Sequence, residues 1–210
     1  MDYDPRRKDH GLPHSPFNAL VVPRPIGWIS TIGRDGVVNL APYSFFNIVS
    51  SYPPFVMFSS KPRKDSQRNA EETGEFVACM ATYDLREAVN ASSAEFASNH
   101  SEPQRIGLKM SPSREVKPPR VADTPVAIEC RYFKTVELFS ADGTPNASAV
   151  VIGEVVSVHI ADSMIKNGRV DVTRMKPIAR LGYMDYCVVD SLFTMQRPAV
   201  PDPEAAAEDQ

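Results

Sequence analysis

The sequence predicts a mainly β fold, an antiparallel β-barrel with α insertions, on three observations. Apolar residues come in short β-branched or aromatic runs bounded by Gly, Pro, Asn and Asp rather than in long amphipathic arrays. Proline outnumbers glycine 19 to 10, which favours fixed bends and strand edges over long helices. The few helical patterns are short and do not alternate regularly with strands, as a doubly wound sheet would require. At 210 residues the chain suits one domain with ornaments, able to bury roughly 70% of its unfolded surface.

Residues 1–15 read as a polar N-terminal extension and 16–195 as the domain. Within it, Arg24 to Ile32 is a β-branched run, Gly33-Arg34-Asp35-Gly36 a turn signal, and Val37 to Ala41 the returning strand of a hairpin, with the chain leaving the sheet at Pro42. Pro53-Pro54 introduces a strand over Phe55–Ser60, and Glu75–Met80 is compact and apolar enough for a buried one. Between them Asp65 to Glu72 tolerates a helix. Asp84 is placed to cap a second helix running to about Phe96, with Leu85, Ala88, Val89 and Phe96 on its apolar face. From Pro103 to Pro125 recurrent prolines predict a long surface excursion. Val126–Phe139 and Asn146–Ile160 then flank a turn sequence as a long hairpin, Asp162–Asn167 forms a short helix stopped by Gly168, and Gly182–Val189 supplies a last strand. Residues 196–210, rich in Pro, Ala, Asp and Glu, read as a loose tail.

A net charge of −3 gives no electrostatic case for wrapping nucleic acid or binding an anionic membrane. No apolar run approaches about 20 residues, so no bilayer span is expected. Met1 to His14 lacks an apolar core, which excludes a secretory signal and favours a cytoplasmic location. Cys79, Cys130 and Cys187 are widely spaced in apolar stretches and read as reduced and buried. His10, His14, His100 and His159 share no metal-ligand spacing, so no metal is expected. His159, inside a strand, reads as a structural residue rather than a general base. No G-x-S-x-G elbow, P-loop or G-x-G-x-x-G turn is present, so an enzyme built on this chain would take its reactive group from a cofactor, with no catalytic side chain assigned.

Three polar clusters remain. Ser59 to Ser66 carries hydroxyls and cations off a strand and into a helix, either a seat for a terminal phosphate or a solvated basic turn with Asp65 or Ser66 as a cap. Trp28, Ser30 and Thr31, with Asn39 to Phe46, mix small hydroxylated residues with large rings, suiting either a flat heteroaromatic ligand or plain core packing. Arg180, ahead of an apolar strand, either neutralises an anion or pairs with a surface carboxylate.

Together R-P-I-G-W-I-S-T (24–31), N-L-A-P-Y-S-F-F (39–46), P-P (53–54), K-D-S-x-x-N (64–69), N-G-R-V-D (167–171) and P-I-x-R-L-G (177–182) resemble, in order and spacing, the flavin reductase-like, FMN-binding split-barrel family, over about residues 18–189. The resemblance implies a split β-barrel of Greek-key type, a homodimer holding FMN noncovalently near the subunit interface, and reduction by NADH or NADPH. It places Ser30, Thr31, Ala41, Pro42, Tyr43 and Ser44 at the isoalloxazine and ribityl chain, and Ser59, Lys64, Asp65 and Ser66 at the phosphate. Trp28 and Asn39 fall in the same motifs, and Arg180, Leu181 and Gly182 in a segment that approaches the cofactor. Three departures stand out: K-D-S where K-D-T is usual, Tyr183 where a second glycine is common, and Phe76-Val77-Ala78-Cys79 where relatives carry F-V-V-N. The implied activity is that of an NAD(P)H:flavin oxidoreductase, which can serve a partner oxygenase. The alternatives are a flavin carrier or store without turnover, and a flavin enzyme for a specific organic substrate that uses the 103–125 excursion as a lid.

Overall fold

A computed structural model describes residues 1–198, and 199–210 of the expected tail lie outside it. Helix α1 (Phe17–Leu20) leads into β1 (Arg24–Pro25), after which β2 (Gly27–Ile32), β3 (Val38–Tyr43), β4 (Phe46–Ser51) and β5 (Pro54–Ser60) follow in close succession. Helix α2 (Asp65–Thr73) precedes β6 (Glu75–Met80). The next connection holds α3 (Arg86–Ala91), α4 (Glu102–Arg105), β7 (Met110–Ser111) and β8 (Arg120–Val121), and ends at β9 (Val126–Phe139), which pairs with β10 (Pro145–Ile160). A 3₁₀ turn (Asp162–Met164), β11 (Ile165–Lys166), β12 (Arg169–Val170), α5 (Val172–Met175), β13 (Ile178–Arg180) and β14 (Tyr186–Val188) complete the described chain.

Seven strands form one antiparallel sheet in the order β3-β2-β6-β9-β10-β5-β4, while β1, β13 and β14 make a small second sheet. Among β5, β6, β9 and β10 the last strand returns beside the first, a Greek-key path. Both faces of the central strands are covered. Trp28, Leu40, Val77, Cys79 and Val121 pack on one side, and Ile29, Phe58, Phe76, Cys130 and Val151 on the other, each large side chain contributing roughly 1.5–3 kcal/mol of burial. Period-two alternation therefore sends Trp28 and Ile29 into two separate cores. Close approach of these layers requires Gly153 on β10: a Cβ there would meet the Phe76 ring at 2.4 Å.

Several expectations are corrected. The chain does not leave the sheet at Pro42; β3 continues to Tyr43, because β3 is an edge strand where a missing N–H forfeits no ladder bond. The strand β4 that follows was not anticipated, since Ile48 and Val49 are exposed and give no burial alternation. Asp84 caps nothing, and the helix predicted to Phe96 is only α3, entered at Leu85. Ser92 and Ser93 donate their hydroxyls back to the carbonyls of Val89 and Asn90, a local bonding pattern that competes with helix continuation. The 103–125 stretch is not a surface excursion: Val116, Pro118 and Val121 are buried. Its backbone can go inside because carboxylates meet it, Glu129 accepting from the N–H groups of Arg114 (2.9 Å) and Glu115 (2.7 Å), and Glu75 from that of Lys117 (2.9 Å). Asn167-Gly168 does not stop a helix. With φ of +52° and +71° it turns the β11–β12 hairpin, the use for which Asn-Gly is best suited. Residues 182–185 form a turn, so the last strand is only β14. Cys79 and Cys130 are buried as free thiols, whereas Cys187 is only half-buried.

Candidate functional site

Along one face of β3, Asn39, Ala41 and Tyr43 form a wall of a cleft of about 380 Å³. Its other sides are the start of α2 and the segment from Ser92 to Ser98, with Glu102 at its base. Helix α2 enters from Lys64 in extended conformation, and no side chain caps it. Its first N–H groups therefore face the cleft end without intrahelical partners, and Arg63, Lys64 and Arg68 add three cations.

A chain of amides and hydroxyls holds this wall in place from behind. Asn39 Nδ2 donates to Ser66 Oγ (2.8 Å) and more weakly to Thr31 Oγ1 (3.4 Å), which also accepts from Asn69 Nδ2 (3.1 Å). Asp65 is held by Arg68 (2.7 Å) and by the Ser98 hydroxyl (2.9 Å), and Lys64 approaches Glu95 at 3.4 Å in an exposed pair. The Tyr43 hydroxyl is buried and makes no hydrogen bond of normal geometry. Burial raises its pKa, and the nearby hydroxyls of Ser66 and Ser60 only partly offset that. Glu102 is 7% exposed, and its Oε2 accepts the Leu40 N–H at 2.9 Å; burial likewise raises its pKa.

Of the residues singled out in the sequence, Asn39, Ala41, Tyr43, Lys64, Asp65 and Ser66 meet in this cleft. Thr31 stands one hydrogen bond behind it, and Trp28, fully buried, donates its indole N–H to Ser92 Oγ on the cleft wall (2.8 Å). Ser30 is buried in the sheet with its hydroxyl unpartnered, and Pro42 projects from the opposite face of β3. Ser44 lies beyond the strand end, and Ser59 meets Phe45 through its backbone N–H (2.8 Å), neither lining the cleft. Its neighbour Ser60 is the buried one, accepting from the Lys64 N–H (3.4 Å). Arg180 is not brought to the cleft: in the small sheet it donates to the Tyr183 carbonyl and lies 4.5 Å from the Tyr186 ring centroid. Sequence reasoning missed Arg68, Ser92, Ser98 and Glu102. The i, i+3 spacing of Asp65 and Arg68 was a usable signal, whereas the others come from segments joined to the site only by folding. His159 sits half-buried on β10, and burial lowers its pKa. Among the described residues no group of three His, Cys, Asp or Glu side chains could hold a metal ion, and no helix is long and apolar enough to cross a membrane.

The family model described as "Flavin reductase like domain" matches residues 19–180. The chain belongs to the flavin reductase-like, FMN-binding split-barrel family. Relatives include an uncharacterised protein of Halalkalibacterium halodurans, 35% identical over 185 residues that cover 86% of this chain and 88% of that one. The crystal structure of nitrilotriacetate monooxygenase component B from Bacillus cereus is similar with a TM-score of 0.85 at 30% identity, covering 93% of this chain and 98% of that one. That of the Pseudomonas fluorescens 2-nitrobenzoate 2-nitroreductase NbaA gives 0.77 at 29% identity, over 89% and 91% of the two chains. The mainly β architecture with α insertions is thus the split-barrel fold of this family.

Proposed function

We propose that the cleft binds FMN and that the protein works as an NAD(P)H-dependent flavin reductase. The observation that carries this reading is the uncapped start of α2, ringed by Arg63, Lys64 and Arg68 and faced by the buried, unpartnered Tyr43 hydroxyl. That donor set fits a phosphorylated ligand: backbone N–H groups and cations suit a phosphate, and hydroxyls suit a polyol chain. The cleft's size falls within the usual range for small-molecule sites. Bound there, FMN would supply two-electron redox chemistry between a nicotinamide donor, NADH or NADPH, and an acceptor. The chain's own tasks are to bind and orient. Lys64 and the α2 N–H groups balance phosphate charge, Ser66 donates to it while Asn39 fixes the Ser66 hydroxyl, and Ala41 leaves room beside β3.

We extend the proposal to a homodimer. Apolar side chains stand exposed on β4 and the outer half of β9, where Ile48, Val49, Phe133 and Phe139 are open to solvent. The Bacillus cereus protein is named as one component of a monooxygenase, which supports delivery of reduced flavin to a partner oxygenase here. Stopped-flow mixing of FMN-loaded protein with NADH and with NADPH tests the activity. Bleaching of the flavin band by either donor is the expected result; no bleaching by either would leave a flavin carrier.

A further inference from the structure

We propose that residues 190–198 form an exchange arm, which seats Phe193 in an apolar groove of a second copy of this chain. The inference rests on the homodimer reading above and adds a contact to it. After β14 the last backbone hydrogen bond of the described chain runs from the Val189 N–H to the Pro177 carbonyl (2.9 Å), and residues 190–198 belong to no helix or strand. On this bare segment Leu192, Phe193 and Met195 are 71%, 84% and 81% exposed. Three large apolar side chains within four positions gain nothing from the hydrophobic effect while they stand in water, so the segment calls for a surface to cover them.

The groove lies between α3 and the β13–β14 pair and has a volume of about 280 Å³. Tyr83 and Val89 line it from the α3 side, and Ile178, Tyr186, Cys187 and Val188 from the sheet. Val188 also ends β14, so the arm departs from the rim of its own groove. To enter that groove the chain would have to reverse within Val189, Asp190 and Ser191, and the structure instead leaves the arm bare. A second copy offers the same groove to an arm that need not turn back, and under twofold symmetry the two arms exchange. Charge fits this occupant. Asp190 and Arg197 are the only charged residues of the arm and bracket its apolar three, while Arg86 and Glu87 stand together at the groove, paired with each other at 3.4 Å. Each charge of the arm thus has an opposite one to face. The six apolar side chains of two arms would cover about 900 Å² and the receiving surfaces a similar area, which together reach the roughly 1,200–2,000 Å² that stable interfaces bury.

Cys187 provides the test, because it lines the groove and is only half-buried. In full-length Thr194→Cys the arm carries a thiol beside Phe193, and diamide oxidation joins two thiols as one disulfide wherever their backbones approach closely. The expected product is a reducible species of about twice the chain's 23.2 kDa in a denaturing gel, lost when Cys187→Ser is added. A disulfide between positions 187 and 194 of one chain, identified by peptide mass, would mean that the arm turns back and would overturn the exchange. So would the absence of any bond to Cys187. Phe193→Ser, at an exposed position that does not threaten the fold, is expected to raise the dimer dissociation constant about tenfold in sedimentation across a dilution series. An unchanged constant overturns the proposal. A native dimer that fails these tests removes the arm and leaves the homodimer standing, whereas a native protein of single-chain mass removes both.

Discussion

Ser66 and Lys64 act on the same proposed phosphate with different consequences. The Ser66 hydroxyl is buried and engaged by Asn39, so Ser66→Ala removes a ligand donor and also strips a buried amide of its acceptor. We expect it to weaken FMN binding and to cost about 1–3 kcal/mol of folding stability. Lys64 is nearly half exposed and shared with Glu95, so solvent screens its charge. Lys64→Ala is expected to cost about 1 kcal/mol of FMN affinity, roughly fivefold, with stability unchanged. Fluorescence titration beside a urea melt reads both, and unaltered FMN affinity in the two variants would move the phosphate elsewhere. Glu102 gives a prediction of opposite character. A carboxyl whose folded pKa is raised favours folding most while protonated, below about pH 4.3, and that contribution is lost as pH rises through the folded value. Glu102→Gln keeps an acceptor for the Leu40 N–H and never ionises. It should match the native chain in acid and exceed it in stability at neutral pH; urea midpoints that stay equal across the range would refute this. These residues also mark how far the site was legible. Asn39, Tyr43 and Ser66 belong to short motifs and could be read locally. Glu102 meets Leu40 across 62 residues, and no local pattern announces such a pairing.

Strands that bury whole faces, such as β2, β6 and the inner half of β9, were readable from apolar runs, and elements whose role is set by a partner were not. The segment before β9 is the clearest case. Its prolines signalled irregular chain correctly, but its burial depends on carboxylates borrowed from β6 and β9. Glu129, 2% exposed, holds two successive N–H groups. Glu129→Ala is therefore expected to cost about 3 kcal/mol and to release protection of the Arg114 and Glu115 amides in hydrogen exchange. Protection retained at both amides would mean that the carboxylate does not anchor this segment. Asn167-Gly168 teaches a related lesson: two positive φ angles suit a helix end or a tight hairpin, and the four flanking residues are too few for periodicity to choose.

At the scale of the whole molecule, the unpaired edge β4 and the exposed outer half of β9 set the expectation for assembly. Light scattering at micromolar concentration should return a mass of about twice the chain's 23.2 kDa. An aspartate at Ile48 is expected to shift that mass toward one chain, and a native protein of single mass would withdraw the dimer. Sulfur, finally, has no visible part in the proposed electron transfer. Cys79 and Cys130 pack into opposite cores, and burial pushes the Cys79 thiol up to about 12 and the Cys130 thiol higher still, so neither offers a thiolate at neutral pH. Peroxide or alkylating agents would therefore find these two sulfurs closed to them, and oxidising conditions would leave both cores packed as they are.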